Sequence, residues 1–272
     1  MKRFCKTIII AAVLYATLLN ASAASVNVSV DGKPITADVA PQLINNTTYV
    51  PIRAFSEALS DCDITWEQIY KRATVSADGL KLQVVAGETF LVANNRYLYL
   101  REPAIIQNGR LLVPIRPMAK SFGAEVGWDA KTYTAKISRG DDMIEDGESF
   151  YKENDVYWLS RIINAESDGE PLEGMIAVGN VVLNRVESPY FPDNIYDVIF
   201  DRNYGVQFSP TADNRIYETP SRSSIIAAKI SLEGYEVVPG ALYFLNEAKA
   251  TSRWIIDNRS FVTAIGNHDF YA

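Results

Sequence analysis

The chain has 272 residues, with 26 Lys and Arg against 33 Asp and Glu, and a formal net charge of −7 at pH 7. This acidic balance argues against a nucleic-acid binder and offers no basic patch for an acidic membrane surface. Hydrophobic residues make up 48% of the chain, which is enough for ordinary cores, and the length suits two domains better than one.

The first 23 residues have the pattern of a secretory signal peptide. Three basic residues precede an apolar run from Ile8 to Leu19, and Ala21-Ser22-Ala23 follows as an Ala-x-Ala cleavage site. The apolar run is too short to span a membrane readily, so we predict export without stable membrane insertion after the signal is removed. Cleavage would also remove Cys5 and leave Cys62 as the one cysteine, so no intramolecular disulfide is expected.

Residues 24–140 contain an internal duplication. The two copies read NNTTYVPIRAFSEAL at 45–59 and NGRLLVPIRPMAKSF at 108–122. In each copy a short helix-like segment follows Val-Pro-Ile-Arg, and a strand containing Trp66 or Trp128 comes next. A strand, a short helix and a hairpin used twice predict one domain, with two small sheets and helices across one face.

The repeated Val-Pro-Ile-Arg and Trp pattern is similar to that of the copper amine oxidase N-terminal-like domain of exported bacterial proteins. The resemblance covers about residues 24–140 and implies a stalk or wall-association module. A simple spacer, and a module that contacts the wall or an accessory protein, are equal alternatives. The segment has no histidine, so no ordinary copper site is expected despite the name of the family.

We divide the chain into a signal peptide at 1–23, an N-terminal domain at 24–140, a linker at 141–150 and a C-terminal domain at 151–272. The linker sequence is acidic and contains glycine. It is predicted to bury too little apolar surface to stay ordered, which would make it the preferred site of proteolysis.

The C-terminal domain is organised around the sequence RIINAESDGEP at 161–171. Apolar residues recur at helical spacing on both sides of it, and Gly169 and Pro171 suit a turn between two helices. Glu166 therefore falls near the carbonyl end of a helix. The partial negative charge there, together with desolvation in a cleft, would raise the pKa of this carboxyl towards that of a general acid. The competing interpretation is a surface Glu in an acidic turn.

Other kinds of catalysis lack the residues they need. The sequence has one histidine, His268, whereas a zinc amidase or peptidase requires two or three histidines or a cysteine cluster. Cys62 lies between Asp61 and Asp63, which would raise the pKa of its thiol rather than activate it. The sequence also contains no Gly-x-Ser-x-Gly elbow, phosphate-binding Gly-rich loop or dinucleotide fingerprint. An enzyme here would use carboxylates, and neither a metal nor a cofactor is expected.

Several segments of the C-terminal domain together carry a second resemblance. They are the run from Arg161 to Phe200, then Gln207-Phe208-Ser209-Pro210, then ALYFLN at 241–246 and IGNHDFY at 265–271. In this order they are similar to the SleB/CwlJ-type spore-cortex-lytic and cell-wall hydrolases. The resemblance covers about 120 residues and implies a compact, lysozyme-like, mainly helical domain with short strands. The whole chain is then expected to be α+β, with a small duplicated β-α-β domain at its N-terminal side.

The resemblance also implies an activity, namely an exported peptidoglycan lytic transglycosylase or glycoside hydrolase of the cell wall or spore cortex. The catalytic glutamate of the family corresponds to Glu166. It would protonate the oxygen between N-acetylmuramic acid and N-acetylglucosamine, and then help to close a 1,6-anhydro ring. Simple hydrolysis with Glu170, Asp168 or Asp213 as a second carboxylate is the nearest alternative. A non-catalytic wall-binding or structural protein that retains the fold is the other.

Asp168 departs from the family pattern. It would raise the pKa of Glu166 further if it lies close, and an altered substrate preference is an equal alternative. Trp254 is expected in the core, although carbohydrate clefts also use exposed tryptophan faces. Arg185 is expected in a helix-stop or buried hydrogen-bonding role. The expected partner is a glycan strand of peptidoglycan. Seven residues are predicted to bind it as substrate: Ser167, Glu170, Gln207, Phe208, Ser209, Tyr243 and Asn246. For Phe208, a buried ring beside a capped turn is an equal alternative.

Overall fold

A computed structural model describes residues 24–203 and 205–272 of the chain. The predicted signal peptide lies outside the described residues. The described part is α+β, with strands concentrated in its N-terminal half and helices in its C-terminal half, which confirms the predicted fold class. No helix in the described ranges is long and apolar enough to cross a membrane.

The N-terminal domain consists mainly of short strands. In the described residues these are β1 (Ala24–Ser25), β2 (Asn27–Val30), β3 (Lys33–Pro34), β4 (Gln42–Ile44), β5 (Thr47–Pro51), β6 (Cys62–Glu67), β7 (Arg72–Ala77), β8 (Leu80–Val85), β9 (Phe90–Ala93), β10 (Arg96–Tyr99), β11 (Ile105–Gln107), β12 (Arg110–Pro114), β13 (Glu125–Asp129) and β14 (Thr134–Ser138). Two short helices, α1 (Ile52–Leu59) and α2 (Ile115–Ser121), directly follow β5 and β12. Both copies of the duplication therefore have the predicted order of strand, helix and hairpin.

The strands form three sheets rather than the predicted two. Their orders are β1-β4-β5-β12-β11, β10-β9-β8-β7-β6 and β13-β14-β2-β3. The two copies meet in the first sheet, where β5 and β12 pair antiparallel with Val50 opposite Val113. The hairpins β6–β7 and β13–β14 lie in separate sheets, because strands outside the duplicated units extend each hairpin differently.

One core joins both copies of the duplication. Phe55 on α1 and Met118 on α2 are fully buried within it, and alternate residues of β8 point into it. Burying a side chain of this size contributes roughly 1.5–3 kcal/mol. Neither copy has enough apolar surface to form this core alone, so the two copies fold as one domain.

The C-terminal domain is mainly helical, with one small sheet. Helix α3 (Gly147–Phe150) lies in the predicted linker. The helices of the C-terminal domain in the described residues are α4 (Glu153–Ser167), α5 (Leu172–Glu187), α6 (Ile195–Phe200), α7 (Arg222–Leu232) and α8 (Trp254–Asn258), and two 3-10 turns lie at Ser209–Thr211 and Arg215–Tyr217. Strands β15 (Tyr243–Leu245), β16 (Phe261–Ile265) and β17 (His268–Tyr271) form a sheet in the order β15-β17-β16.

Helix α5 is the centre of the C-terminal domain. Every residue from Gly174 to Val182 is buried, and all of them except Asn180 are apolar, as expected for an enclosed helix. Helices α4 and α7 pack against it. A Cβ at Gly179 would lie 2.5 Å from Ser231 Oγ and 3.0 Å from Ile163 Cδ1. The absence of a side chain there allows α7 and α4 to approach α5 closely.

The predicted linker packs against the N-terminal domain instead of being a free tether. The Ile144 side chain is 7% exposed and belongs to the N-terminal core. The Asn94 side chain donates to the Ile144 carbonyl at 2.9 Å, and the Gly147 amide donates to the Asn94 carbonyl at 2.7 Å. The expectation of an unordered linker is therefore wrong, because one apolar residue and these hydrogen bonds fix an otherwise acidic segment. The domain boundaries remain a prediction.

A buried carboxylate connects the two domains. The Glu233 side chain, just after α7, is 3% exposed. It accepts hydrogen bonds from Arg96 Nε and Nη2, each at 2.7 Å, from Lys120 Nζ at 2.9 Å and from the Tyr151 hydroxyl at 2.9 Å. Burial alone would raise the pKa of Glu233, but these hydrogen bonds hold it below its usual value. The carboxylate is therefore charged and fully partnered at the domain boundary.

Replacing this carboxylate should loosen the domain boundary. Glu233→Ala leaves the guanidinium of Arg96, whose side chain is 9% exposed, without a counter-charge, and should lower the free energy of unfolding by about 3–5 kcal/mol in urea denaturation at pH 7. The difference should shrink as the pH falls through the lowered pKa of Glu233, where the parent also loses the charge. Glu236→Ala, at a nearby exposed carboxylate, is the control and should have little effect. Equal losses in both variants would contradict the role of Glu233.

Candidate active site

Glu166 lies in the last turn of α4, where the chain turns towards α5. The helix ends because Asp168 adopts an extended conformation and Gly169 has φ of +87°, in the left-handed region that favours glycine. The carbonyl of Pro171 then accepts the first hydrogen bond of α5, from the Met175 amide at 3.0 Å. The helix-turn-helix predicted around these residues is confirmed.

The surroundings of Glu166 favour its protonated form. Burial raises the pKa of Glu166 to about 7, and the nearby Asp213 acts in the same direction, while Arg215 and Arg185 oppose the change. The direction agrees with the prediction, but the neighbouring acid is a different one. Asp168 is exposed and is not among the groups that shift the pKa of this carboxyl.

Arg215 fastens the loop that carries Asp213 to the end of α4. Its Nη1 donates to the Ala165 carbonyl at 2.9 Å, its Nε to Asp213 Oδ2 at 2.9 Å and its Nη2 to Ser209 Oγ at 3.2 Å. Hydrogen bonds from the backbone and side chain of Arg215 lower the pKa of Asp213. Asp213 is therefore an ion-paired carboxylate, which speaks against its role as the base in a hydrolysis. No local sequence pattern pointed to Arg215, which lies 49 positions beyond Glu166.

Arg185 places a second cation behind Glu166. Its side chain is buried, its Nε donates to the Leu242 carbonyl at 2.7 Å, and its Nη1 has no hydrogen-bond partner among the described residues. Burial lowers the pKa of Arg185 to about 10, against the opposing effects of Tyr243, Asp201 and Glu166. The predicted buried hydrogen-bonding role is confirmed, and electrostatic coupling to Glu166 is an additional finding. Three aromatic rings surround the guanidinium, those of Phe191, Phe208 and Tyr243.

Two of the residues predicted to bind substrate are core residues. The Ser167 side chain is 1% exposed, and its hydroxyl donates to the Ile163 carbonyl at 2.6 Å. Phe208 is 2% exposed and packs in the C-terminal core. Neither can contact a ligand in an open groove, so the prediction is wrong for both. For Phe208 the alternative of a buried ring is the one that the structure supports.

Glu170 has a structural partner that sequence reasoning missed. Its two carboxylate oxygens accept hydrogen bonds from the Asn267 amide at 3.0 Å and from Asn267 Nδ2 at 2.7 Å, in the turn between β16 and β17. Burial would raise the pKa of Glu170, but these bonds lower it. A Cβ at Gly266, where φ is +60°, would collide with the same carboxylate. These bonds make Glu170 an anchor between two turns, and its contact with substrate stays a prediction.

The remaining predicted residues lie at the surface of the domain. Gln207 is half-buried, and its side chain donates to the Gly205 carbonyl at 3.3 Å. Ser209 is exposed and is held by Arg215 near the end of α4. Tyr243, on β15, and Asn246, just after it, are both half-buried. These four side chains are accessible to a ligand.

Trp254 is exposed and does not belong to the core as predicted. It is 52% exposed on α8, its ring centroid lies 6.2 Å from that of Tyr243, and the guanidinium of Arg259 lies over both rings. A short helix of five residues has too little apolar surface to bury this ring. His268 is buried on β17 beside Phe244. In residues 24–203 and 205–272, no group of three or more His, Cys, Asp or Glu side chains is arranged to hold a metal ion.

A half-buried carboxylic acid with a pKa near 7, flanked by two cations, has the properties of a general acid. Residues 169–271, which begin just after Glu166, match the family model described as Cell Wall Hydrolase, and residues 29–137 match the Copper amine oxidase N-terminal domain. Residues 169–271, in the C-terminal part of the chain, are therefore similar to the cell wall hydrolase family.

The chain is similar to several curated proteins and solved structures. It is 39% identical over 120 residues to a spore cortex-lytic enzyme of Halalkalibacterium halodurans, covering 44% of this chain and 35% of that protein. It is 34% identical over 136 residues to a spore cortex-lytic enzyme of Bacillus subtilis, covering 50% and 43%. The catalytic domain of the germination-specific lytic transglycosylase SleB from Bacillus anthracis matches at 36% identity and a TM-score of 0.42, over 47% of this chain and 100% of that domain. The chain thus spans less than half the length of these two curated relatives.

The raised pKa of Glu166 predicts a specific pH dependence of stability. The folded protein holds a proton between about pH 4.5 and 7 that the unfolded chain releases, so this contribution is present at low pH and lost as the pH rises through 7. Glu166→Gln should therefore gain on the order of 2–3 kcal/mol relative to the parent over this range. Urea denaturation at several pH values would measure the difference. A difference that does not change with pH would contradict the raised pKa.

The source of the pKa shift can be tested with a matched pair of variants. Asp213→Asn removes an acidic neighbour and should lower the pKa of Glu166, as followed by carboxyl carbon NMR titration. Asp168→Asn, at the exposed acid two residues from Glu166, is the control and should leave the pKa of Glu166 unchanged. A pKa that changes in Asp168→Asn and not in Asp213→Asn would show that Asp168, rather than Asp213, raises the pKa of Glu166.

Proposed function

We propose that this protein cleaves the glycan strands of peptidoglycan, at the bond between N-acetylmuramic acid and N-acetylglucosamine, as a lytic transglycosylase. The observation that carries the proposal is the half-buried position of Glu166 in the last turn of α4, where burial raises the pKa of its carboxyl to about 7. At neutral pH a large fraction of this carboxyl keeps its proton, while the same group accepts a proton readily after donating it.

Glu166 begins the reaction as an acid. Its proton passes to the glycosidic oxygen, the bond from that oxygen to the muramoyl C1 breaks, and positive charge develops on C1. The carboxylate then takes the proton of the muramoyl 6-hydroxyl, whose oxygen bonds to C1 and closes a 1,6-anhydro ring. No water enters and the carboxyl returns to its starting state, so one acid is enough.

The charges around Glu166 suit both of its protonation states. Burial and Asp213 favour the neutral acid before the first proton transfer, and Arg185 and Arg215 favour the carboxylate after it. A site with burial alone would hold the proton too tightly, and a site with the cations alone would release it before substrate arrives. The opposing effects place the pKa near the working pH.

The neighbouring carboxylates favour transglycosylation over hydrolysis. A hydrolase of either stereochemical type uses a second carboxylate as base or nucleophile. Among the described residues, Glu170 binds Asn267, Asp213 binds Arg215 and Asp168 is exposed beyond the turn. These three were the candidates for a second catalytic group, and their positions and partners argue against that role.

Substrate contacts are assigned to the accessible residues near the turn. We place Gln207, Ser209, Tyr243 and Asn246 along the glycan groove, and we assign Ser167, Phe208 and Glu170 to holding its walls. The relatives named spore cortex-lytic enzymes favour cortex peptidoglycan as the substrate. The signal-peptide pattern at 1–23 supports export to the wall or cortex.

Glu166→Gln should lower cleavage of purified sacculi by about 10²–10⁴-fold, because the amide keeps the size of the side chain but cannot deliver a proton. Muropeptide release and mass spectrometry of anhydro-muramoyl products are the measurements. Glu170→Gln is the matched control and should lower cleavage by less than about tenfold, with its main effect on thermal unfolding through the weakened bonds to Asn267.

Three outcomes would contradict the proposal. A fully active Glu166→Gln would show that the acid lies elsewhere. Products with reducing ends in place of anhydro rings would assign hydrolysis to the site. An inactive parent protein that still binds sacculi would favour a wall-binding protein that retains the fold.

A further inference from the structure

A second cleft lies between the two domains. It has a volume of about 1000 Å³ and is open to solvent. Residues of the N-terminal domain form most of its wall, and the segment just after α7 closes it from the other side. Its lining includes the side chains of Arg101, Arg116, Lys120, Trp128, Tyr133 and Tyr235.

This cleft is separate from the site around Glu166. The N-terminal end of α7 lies beside the end of α4, where the Ser221 amide donates to Asn164 Oδ1 at 2.8 Å. Glu233 and Tyr235, which line the cleft, follow the opposite end of α7. The 11 residues of this helix span about 16 Å. The cleft therefore forms no part of the candidate catalytic groove.

Exposed aromatic rings line one side of the cleft. Trp128 is 43% exposed and Tyr133 is 61% exposed, with their ring centroids 6.0 Å apart in an edge-to-face arrangement. Exposure alone is a property of the duplicated hairpin, because the equivalent Trp66 is 42% exposed in the first copy. Of these two tryptophans, Trp128 alone lines the concave surface of the cleft.

Positive charge distinguishes the cleft from the rest of this acidic chain. Arg101 and Arg116 are exposed and available to a ligand, whereas Lys120, which also lines the cleft, is paired with Glu233. Glu233 is the one acid among the described residues that line the cleft, and its carboxylate is already occupied by hydrogen bonds from both domains. The cleft therefore has a surplus of cations available to an anionic ligand.

From this combination we propose that the cleft binds a peptidoglycan strand as a second, non-catalytic site. The apolar C–H faces of the sugar rings would pack on Trp128 and Tyr133, and the carboxylates of the peptide stems would pair with Arg101 and Arg116. This inference rests on the proposed function for its choice of polymer. Binding at two places on one insoluble strand strengthens attachment without new contacts at the catalytic site.

The internal duplication supplies a matched control for the test. Trp128→Ala/Arg116→Ala removes one aromatic ring and one cation from the cleft. Trp66→Ala/Arg53→Ala removes the equivalent pair from the first copy, where neither residue lines the cleft. Both double variants are made in the full chain carrying Glu166→Gln, which prevents digestion. Co-sedimentation with sacculi freed of teichoic acids gives the apparent Kd.

The cleft variant should raise the apparent Kd by about tenfold or more, as expected when central aromatic and Arg contacts are removed. The first-copy variant should stay within about twofold. The inference is overturned if both variants bind like the Glu166→Gln protein or weaken equally, or if binding requires teichoic acids, which would make a different anionic polymer the ligand. Thermal unfolding shows whether each variant is folded. The single variants Arg116→Ala and Arg53→Ala repeat the comparison of apparent Kd with smaller changes to the protein.

The same samples separate this inference from the proposed function. Anhydro-muramoyl products from the protein with Glu166 intact test the catalytic proposal, whatever the cleft does. If these products form while the Glu166→Gln protein does not sediment with sacculi, the second site is refuted and the catalytic proposal stands. If cleft-dependent binding occurs without such products, the catalytic proposal fails and the cleft remains a glycan site.

Discussion

The enclosed helix α5 is the constraint on which the C-terminal domain depends. A helix that is apolar on all sides must be covered on all sides, and α4, α7 and the terminal sheet provide that cover. Gly179 sets how closely α7 and α4 can approach. This packing fixes the direction in which α4 ends, and therefore places the side chain of Glu166 where water is partly excluded.

The chemistry of the site follows from competition between burial and charge. Burial disfavours the Glu166 carboxylate, whereas Arg215 and Arg185 favour it. The two cations are held differently: Arg215 is exposed and attached to Asp213 and the end of α4, and Arg185 is enclosed by aromatic rings. A positive charge at the carbonyl end of a helix also offsets the partial negative charge there. The loop that carries Arg215 and the core that encloses Arg185 thus act separately on the protonation of Glu166.

Local sequence patterns predicted the local structure well. Gly169 and Pro171 mark the helix-turn-helix because their conformational preferences are intrinsic, and the repeated Val-Pro-Ile-Arg marks two strand-helix units for the same reason. Periodicity did not show that Ser167 and Phe208 face inwards, because both lie where a regular helix ends or before a turn begins. Pairings across long separations, such as Glu233 with Arg96, also left no pattern, since they depend on how the two domains pack.

The pairing of β5 with β12 gives the N-terminal domain an approximate two-fold symmetry. Val50 pairs with Val113, its equivalent in the second copy. On one side of this pair Tyr49 pairs with Pro114, and on the other side their equivalents, Leu112 and Pro51, pair with each other. This is the self-complementary contact that two identical subunits make in a symmetric dimer. Because one polypeptide supplies both halves, formation of this contact is intramolecular. The stability of the domain is therefore independent of protein concentration, which a dimer of single copies could not achieve.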